Sequence, residues 1–538
     1  MRSTALRKMV GLALAVAALS GISAEGQKDG PAAGAAPSAA FNPTGLPIMK
    51  EKTTMRVFMT QFPEQTVPWN NMTIVKKVEQ QTGIAVDWIL APSQESQTKV
   101  NLMFASGDLP DVFLEGVTVP QAYVYGQQGM VRPLNDLIDK YTVNIKDYLA
   151  TYKGLREVAT SPDGKMYNLF SFSDAFHQDF GNMIYVNREW LQAAGLKMPT
   201  TTEEYYQMLK AFKAKDMNGN GKADEIPFTL VFYTKNGNWA DLNFFGSFGL
   251  QMDNNANFFA LEKGKVVWEP SLVGFKNTLK YLNRLYSEGL LDQEAYIQDR
   301  SQMQAKGAAT PVVLGSYVSW FASNVGGKNA GLYDTMGPLK GPEGFQFSNW
   351  HPRAMMGGGA GVVTSKAKSP EAAIRWLDYL LTPDINFQMS YGAEGEGTQK
   401  GADGIWRVLA PPAGVSPELL RMTTSPHHII KLAPDRIKRE MPAHFDLKDK
   451  MKRDAFLPNA PVDRVLPVFY FSKEDQEVID SVYPDIRTYT DQKWAEWVMK
   501  GTIDAEWDAF LKQLNTMGLP KVLAIYQKGY DALTALKK

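Results

Sequence analysis

Apolar residues early in the chain recur in two alternating rhythms. Residues 55–60 and 84–90 are apolar runs of strand length, and 111–114 is a shorter third. Between the first two, 71–82 carries Val75 and Val78 at helical spacing and stops at Gly83, where a left-handed cap belongs. A second helical stretch, 94–105, ends at Ser106-Gly107-Asp108. Strand, helix, strand, helix, strand predicts parallel strands with right-handed crossovers, hence a sheet covered on both faces. Ligands bind beyond the carboxyl ends of such strands, so the Leu109-Pro110-Asp111 turn is expected beside a cleft.

Residues 170–182 are aromatic and polar without period, which suits a crossing to a second lobe. The alternation then restarts. Residues 183–186 read as a strand, and Asn187 caps a helix ending at Gly195. Thr201 with Glu204 forms a capping box ahead of Tyr205, Met208, Leu209 and Phe212. Strands are expected at 226–232 and 311–314, helices at 272–288 and 302–306, and a return to the first lobe after 332–339. Gly357, Gly358, Gly359 and Gly361 fit neither the dinucleotide fingerprint nor a P-loop, and read as a bend, a close backbone approach or part of a hinge. Helices follow at 370–381, around Trp507, Phe510, Leu511 and Leu514 up to Gly518, and after Pro520.

Length and composition sharpen this. A chain of 538 residues exceeds one ordinary core, so two α/β lobes are expected. Hydrophobic content of 44% and charged content of 21% are those of a globular protein. A net charge of zero gives no field to attract nucleic acid, and no nucleic-acid partner is expected. Arg2, Arg7 and Lys8 precede an apolar run at 10–19 and small residues at Ser23-Ala24, the pattern of an export leader over 1–24. With no cysteine there is no disulfide and no thiol to acylate, so an exported, unlipidated protein is expected, periplasmic or extracellular. Residues 25–52, rich in Ala, Gly and Pro, read as a disordered arm or tether.

One decapeptide carries distinct chemistry. In Asp216-Met217-Asn218-Gly219-Asn220-Gly221-Lys222-Ala223-Asp224-Glu225, side-chain oxygens fall at the first, third, fifth and ninth places and glycine at the sixth. That spacing wraps a hard cation, with Lys222 offering its carbonyl and Glu225 closing the ring. The twelfth place of an EF-hand loop would be a bidentate Glu; here it is Pro227, leading into a strand. A structural Ca²⁺ held by Asp216, Asn218, Asn220, Lys222, Asp224 and Glu225 is expected, the alternative being a plain polar turn.

Several segments together resemble the bacterial extracellular solute-binding proteins of family 1, in the calcium-containing branch with the alginate-binding proteins. They are Ser106-Gly107-Asp108-Leu109-Pro110-Asp111, Asn187-Arg188-Glu189-Trp190-Leu191, the cation loop through Pro227, Tyr391-Gly392-Ala393-Glu394-Gly395, and Trp507 to Tyr526. The resemblance implies a periplasmic-binding-protein-like fold: two α/β lobes with mainly parallel sheets, joined by hinge crossovers. It implies a monomer that closes on an oligosaccharide and hands it to the permease of an ABC importer. The lobes divide as 53–175, then 176–345 with the loop at 216–225, then a return over 346–425. Residues 426–538 are expected to form a helical part packing across both.

A sugar cleft needs aromatic platforms for ring faces and polar groups at the rim. Trp88, Trp376 and Trp507 sit at core spacing and are assigned to packing. Trp69, Trp239, Trp320 with nearby Tyr317, and Trp350 lie in polar surroundings and are the candidate ligand contacts, with Arg353 beside Trp350 to meet a carboxylate. A polysaccharide-degrading enzyme is the competing class, and a sensor subunit of a signalling system a third. His177, His351, His427, His428 and His444 are scattered and no nucleophile elbow or His-Glu-x-x-His occurs, so no enzyme is expected.

Overall fold

Strand β1, Thr53–Gln61, buries Val57, Phe58 and Met59 in succession, the signature of a strand covered on both faces. It pairs in parallel with β2, Ile84–Pro92, and with β3, Val112–Phe113. The computed structural model describes residues 40–535 except 94, 153–154, 157–158, 172–179, 181–182, 235–239, 241, 253–256, 351–355, 414, 416, 427–435, 441–451 and 468–469. The expected leader therefore lies outside the described residues. Helix α1, Thr73–Thr82, turns Ile74, Val75 and Val78 inward and ends on Gly83 at φ 74°. A Cβ at Gly83 would stand 2.2 Å from the Met49 carbonyl oxygen, so only glycine fits that close approach.

Two expectations for this lobe are corrected. Residues 40–52 do not hang free: Phe41 and Met49 pair as a bridge, and Phe41, Ile48 and Met49 are buried in the first-lobe core. Phe41 and the adjacent pair Ile48-Met49, set in a Gly/Pro-rich segment, carry no period, which is why the sequence hides them. The Leu109-Pro110-Asp111 turn lies at the amino end of β3, away from the carboxyl ends. Asp111 there accepts from the Arg56 and Lys368 backbone N–H groups, tying β1 to the returning chain.

The first crossing leaves through β4, Leu169–Ser171, and enters the second lobe as β5, Met183–Asn187. Asn187 caps the next helix through the N–H groups of Glu189 and Trp190, and Thr201 and Glu204 form their reciprocal box. The second sheet contains β5, β6 (Ile226–Thr229), β9 (Leu314–Ser319) and β10 (Tyr333–Met336), with β7 and β8 forming a separate hairpin over Phe259–Glu262 and Lys265–Trp268. β6 and β9 are parallel, whereas β5 runs against β9 and β10. The first sheet is mainly parallel as expected, and the second is mixed because β5, the inner strand arriving from the other lobe, runs against both its neighbours.

The chain returns through β11, Met356–Ala360, antiparallel to β4, and β12, Val362–Val363, which joins β3. Met356 faces Ser171 and Ala360 faces Leu169, so Gly357, Gly358 and Gly359 bulge opposite a single residue of β4. The glycine run is thus a pliable ribbon between the two crossing strands. The third crossing runs between Arg436, bonded to Thr151 of the first lobe, and Arg464, paired with Glu269 of the second. The last three helices, Lys473–Lys500, Ile503–Met517 and Leu519–Ala535, pack chiefly on the second lobe, while Tyr470 just before them lies edge-on to Tyr123 of the first lobe and Asp480 lies within electrostatic reach of Tyr125. Trp494, Trp497, Phe510 and Leu514 enter the same core cluster as Phe245 and Phe275, so these helices complete the second lobe.

Candidate functional site

The loop behind β1 is clamped by its own glutamines. Gln65 Oε1 accepts from Phe62 N at 2.9 Å, Gln61 Nε2 donates to the Gln65 carbonyl, and Gln65 Nε2 reaches the Pro426 carbonyl at 2.9 Å. That rigid turn presents Glu64. Across from it, the segment behind β6 is fixed by a buried polar network. Gln298 Nε2 donates to the Leu230 carbonyl and Thr229 Oγ1, and Asp292 accepts from Thr229 and from Lys306 at 2.7 Å. Lys306 also donates to Gln298 Oε1 at 2.8 Å, so every member is satisfied. The network places Arg300 at the start of helix Arg300–Gly307.

Arg300 Nη2 meets Glu64 Oε1 at 2.8 Å. This contact joins the carboxyl end of β1 in one lobe to that of β6 in the other, where open α/β sheets bind ligands. Burial pulls the Arg300 guanidinium below its ordinary pKa, while the Glu64 and Glu418 carboxylates oppose that shift. Glu418 stands on the first-lobe helix Pro417–Thr424.

The aromatic candidates separate cleanly. Trp320 follows β9 directly, is part-exposed, and lies edge-on to Phe321 with its carbonyl accepting from Tyr185 Oη. Trp350 is part-buried on the second-lobe cluster around Phe180 and Phe456; Gln251 Nε2 donates to its carbonyl at 2.9 Å, and its indole N–H meets no acceptor among the described residues. Trp69 is 2% exposed and belongs to the core: Pro68-Trp69-Asn70-Asn71 is a 3-10 turn that tucks the ring inward and leaves the asparagines in solvent. Tyr317 is also core, inside β9, stacked on Tyr185 and bonded to the Ala322 carbonyl at 2.8 Å. Its neighbours Ser316 and Ser319 gave it a polar look, yet both are buried and bonded to backbone carbonyls. Trp239 and Arg353 lie outside the described residues. Glu64 and Arg300 were missed; the strand-end rule applied to β1 would have pointed to residues 62–66.

The 216–225 loop folds inward around its oxygens. Asp216 accepts from the N–H groups of Asn220 (3.1 Å) and Gly221 (2.7 Å), and Gly219 and Gly221 take φ of 71° and 75°. Asn220 Nδ2 and Asn218 Nδ2 donate to the two oxygens of Asp224 at 2.9 and 2.8 Å. Those two hydrogen bonds hold the Asp224 carboxyl below its usual pKa, Asn220 contributing most. Glu225 Oε1 accepts from the backbone N–H groups of Met217 and Asn218 and clasps the loop shut. Among the described residues no three carboxylate, imidazole or thiol groups converge on one point. Asp216 and Asp224 are the loop's central carboxylates, while Asn218 and Asn220 turn their oxygens to the backbone N–H groups of Asn220 and Lys222; half-turns of the two carboxamides would bring neutral oxygens to the same interior.

A family model, bacterial extracellular solute-binding protein, matches residues 70–386. The chain belongs to that family. This solute-binding protein is similar to the fructooligosaccharide ABC transporter substrate-binding protein FusA of Streptococcus pneumoniae serotype 4. The two are 31% identical over 510 residues, 91% of this chain and 92% of FusA. The solved structure of FusA in complex with kestose matches at TM-score 0.80 and 30% identity, covering 90% of this chain and 100% of that one. A FusA EF-hand mutant in complex with fructo-nystose matches at 0.79 and 29%, over 90% of this chain and 100% of that one. The alginate-binding protein AlgQ2, solved without calcium ion, shares the fold at TM-score 0.70 and 23% identity, over 92% and 99%. Among the described residues no helix is long and apolar enough to cross a membrane.

Proposed function

We propose that this protein is exported, captures an oligosaccharide in the seam between its lobes, and delivers it unaltered to the permease of an ABC importer. The observation that carries the reading is the seam itself, where the carboxyl ends of β1 and β6 meet through Glu64 and Arg300, in a chain that matches kestose-bound FusA along nine-tenths of its length. Trp320 and Trp350 offer ring faces on the second-lobe side, and the glycine-bulged ribbon of β4 and β11 gives the hinge its freedom. Binding needs only that the sugar make more contacts in the closed form than in the open one.

The 216–225 loop is the support for that second lobe. Asp216, Asn218, Asn220 and Asp224 side chains with the Lys222 carbonyl would hold a calcium ion, which when bound supplies charge balance and rigidity rather than chemistry on the sugar. The donor set fits in kind: hard oxygens from two carboxylates and, after half-turns, from two carboxamides. The loop continues directly into β6, so its stiffness bears on the strand that ends at the seam.

Calorimetry with kestose, a longer fructan, a neutral glucan and a uronate oligomer tests the reading. One stoichiometric heat, with the sugar recovered intact, is expected. Cleaved sugar at turnover would make the protein an enzyme, and no heat with any of the four would overturn an oligosaccharide ligand.

A further inference from the structure

Glu64 hangs from the first lobe and Arg300 opens a helix of the second, so their 2.8 Å ion pair exists only while the seam is shut. Both partners are held in place before they meet, Glu64 by the Gln65 clamp and Arg300 by the Asp292–Lys306–Gln298 network. Neither is a loose surface charge, with side chains 22% and 26% exposed. Glu418 is a second first-lobe carboxylate within electrostatic reach of Arg300, and Arg421 one turn further on lies 4.0 Å from Glu418. Signs therefore alternate across the seam.

We propose that Arg300, received by Glu64 and Glu418, is a latch that biases the lobes toward closure before any sugar arrives. Its strength is bounded on both sides. Partial burial strengthens the attraction relative to an exposed pair, yet Glu64 Oε2 is shielded from water and accepts no hydrogen bond from the described residues, a cost that opening removes. The balance gives a bias of about fivefold in the closed-to-open ratio, the upper end for a partly exposed pair. A biased ensemble raises apparent affinity by the same factor only while the closed form is the minor one, and holds the closed form against dissociation. The effect on affinity rests on the seam being the sugar site; the effect on shape does not.

Small-angle scattering of the full ligand-free chain tests the latch, comparing the parent with Arg300→Met, Glu64→Gln and the charge-retaining Arg300→Lys, each checked for an unchanged melting profile. In low salt the parent should be the more compact, Arg300→Met and Glu64→Gln should expand, and Arg300→Lys should recover part of the compactness. Raising sodium chloride to roughly 0.5 M, where screening reaches only a few ångströms, should expand the parent and leave Arg300→Met unmoved. Equal radii and equal salt profiles for parent and Arg300→Met would overturn the proposal. Kestose calorimetry is the second readout, with binding weakened by up to about fivefold expected for Arg300→Met. Absence of kestose binding in every variant would defeat the proposed ligand while the scattering still judged the latch.

Discussion

The indole of Trp69 stands edge-on to that of Trp88, ring centroids 4.9 Å apart at 67°, and Trp88 leans in turn on Trp376 at 6.5 Å. Three tryptophans from a 3-10 turn, a strand and a helix thereby pin the first-lobe sheet to its flanking helix. Trp69→Ala should cost about 3–5 kcal/mol, the usual price of emptying a large core site. A denaturant titration showing a loss below 1 kcal/mol would contradict the core assignment.

Trp320→Ala should do the reverse. Its ring is part-exposed at the end of β9 and carries little of the core. We expect a melting temperature close to the parent's and oligosaccharide affinity down by about tenfold, within the 1–3 kcal/mol that a stacking aromatic contributes at a binding centre. Full affinity in this variant would remove Trp320 from the site.

Asp224 collects the amides of both Asn218 and Asn220, which makes it the keystone of the cation loop. If calcium binds there, it stabilises the folded chain by mass action. Melting temperature should then rise with added calcium and fall in chelator, and Asp224→Ala should abolish that difference. A parent protein whose melting ignores both would leave the loop an ordinary turn.

Local rules read most of the elements correctly and the seam poorly, for a physical reason. Helix α1 ending on Gly83, the Thr201–Glu204 box and the decapeptide depend on neighbours a few residues apart, so spacing alone reveals them. Glu64 and Arg300 are 236 positions apart in a chain with many acids and bases, and nothing local marks them as partners. Trp69 and Tyr317 misled because adjacent Asn and Ser looked like solvent-facing company. In the fold those polar groups either point outward, as Asn70 and Asn71 do, or are buried and bonded, as Ser316 and Ser319 are.

Gly83 gives a backbone test of the first lobe. At φ 74°, with a Cβ destined for the Met49 carbonyl, Gly83→Ala combines left-handed strain with a backbone clash. A loss of about 2 kcal/mol or more is expected. Met49 N donates to the Thr82 carbonyl, so the loss should come with faster hydrogen exchange at Met49. Unchanged stability would mean that residues 40–52 are not docked.

One acid-sensitive contact lies where the last helices join. Glu506 accepts from Lys493 Nζ at 2.7 Å and from Trp497 Nε1 at 3.0 Å, and these bonds, Lys493 first, lower its pKa to about 2. A carboxyl whose folded pKa lies below its unfolded value near 4.3 contributes stability that is present above that unfolded value. The contribution then disappears as pH falls through about 2. Glu506→Gln should therefore be less stable than the parent at neutral pH, by a modest amount because the pair is partly solvated. The gap should close as acid titrates the parent's carboxyl, so the two stability curves should converge between about pH 4 and pH 2. Parallel curves across that window would show that Glu506 is not the group that titrates.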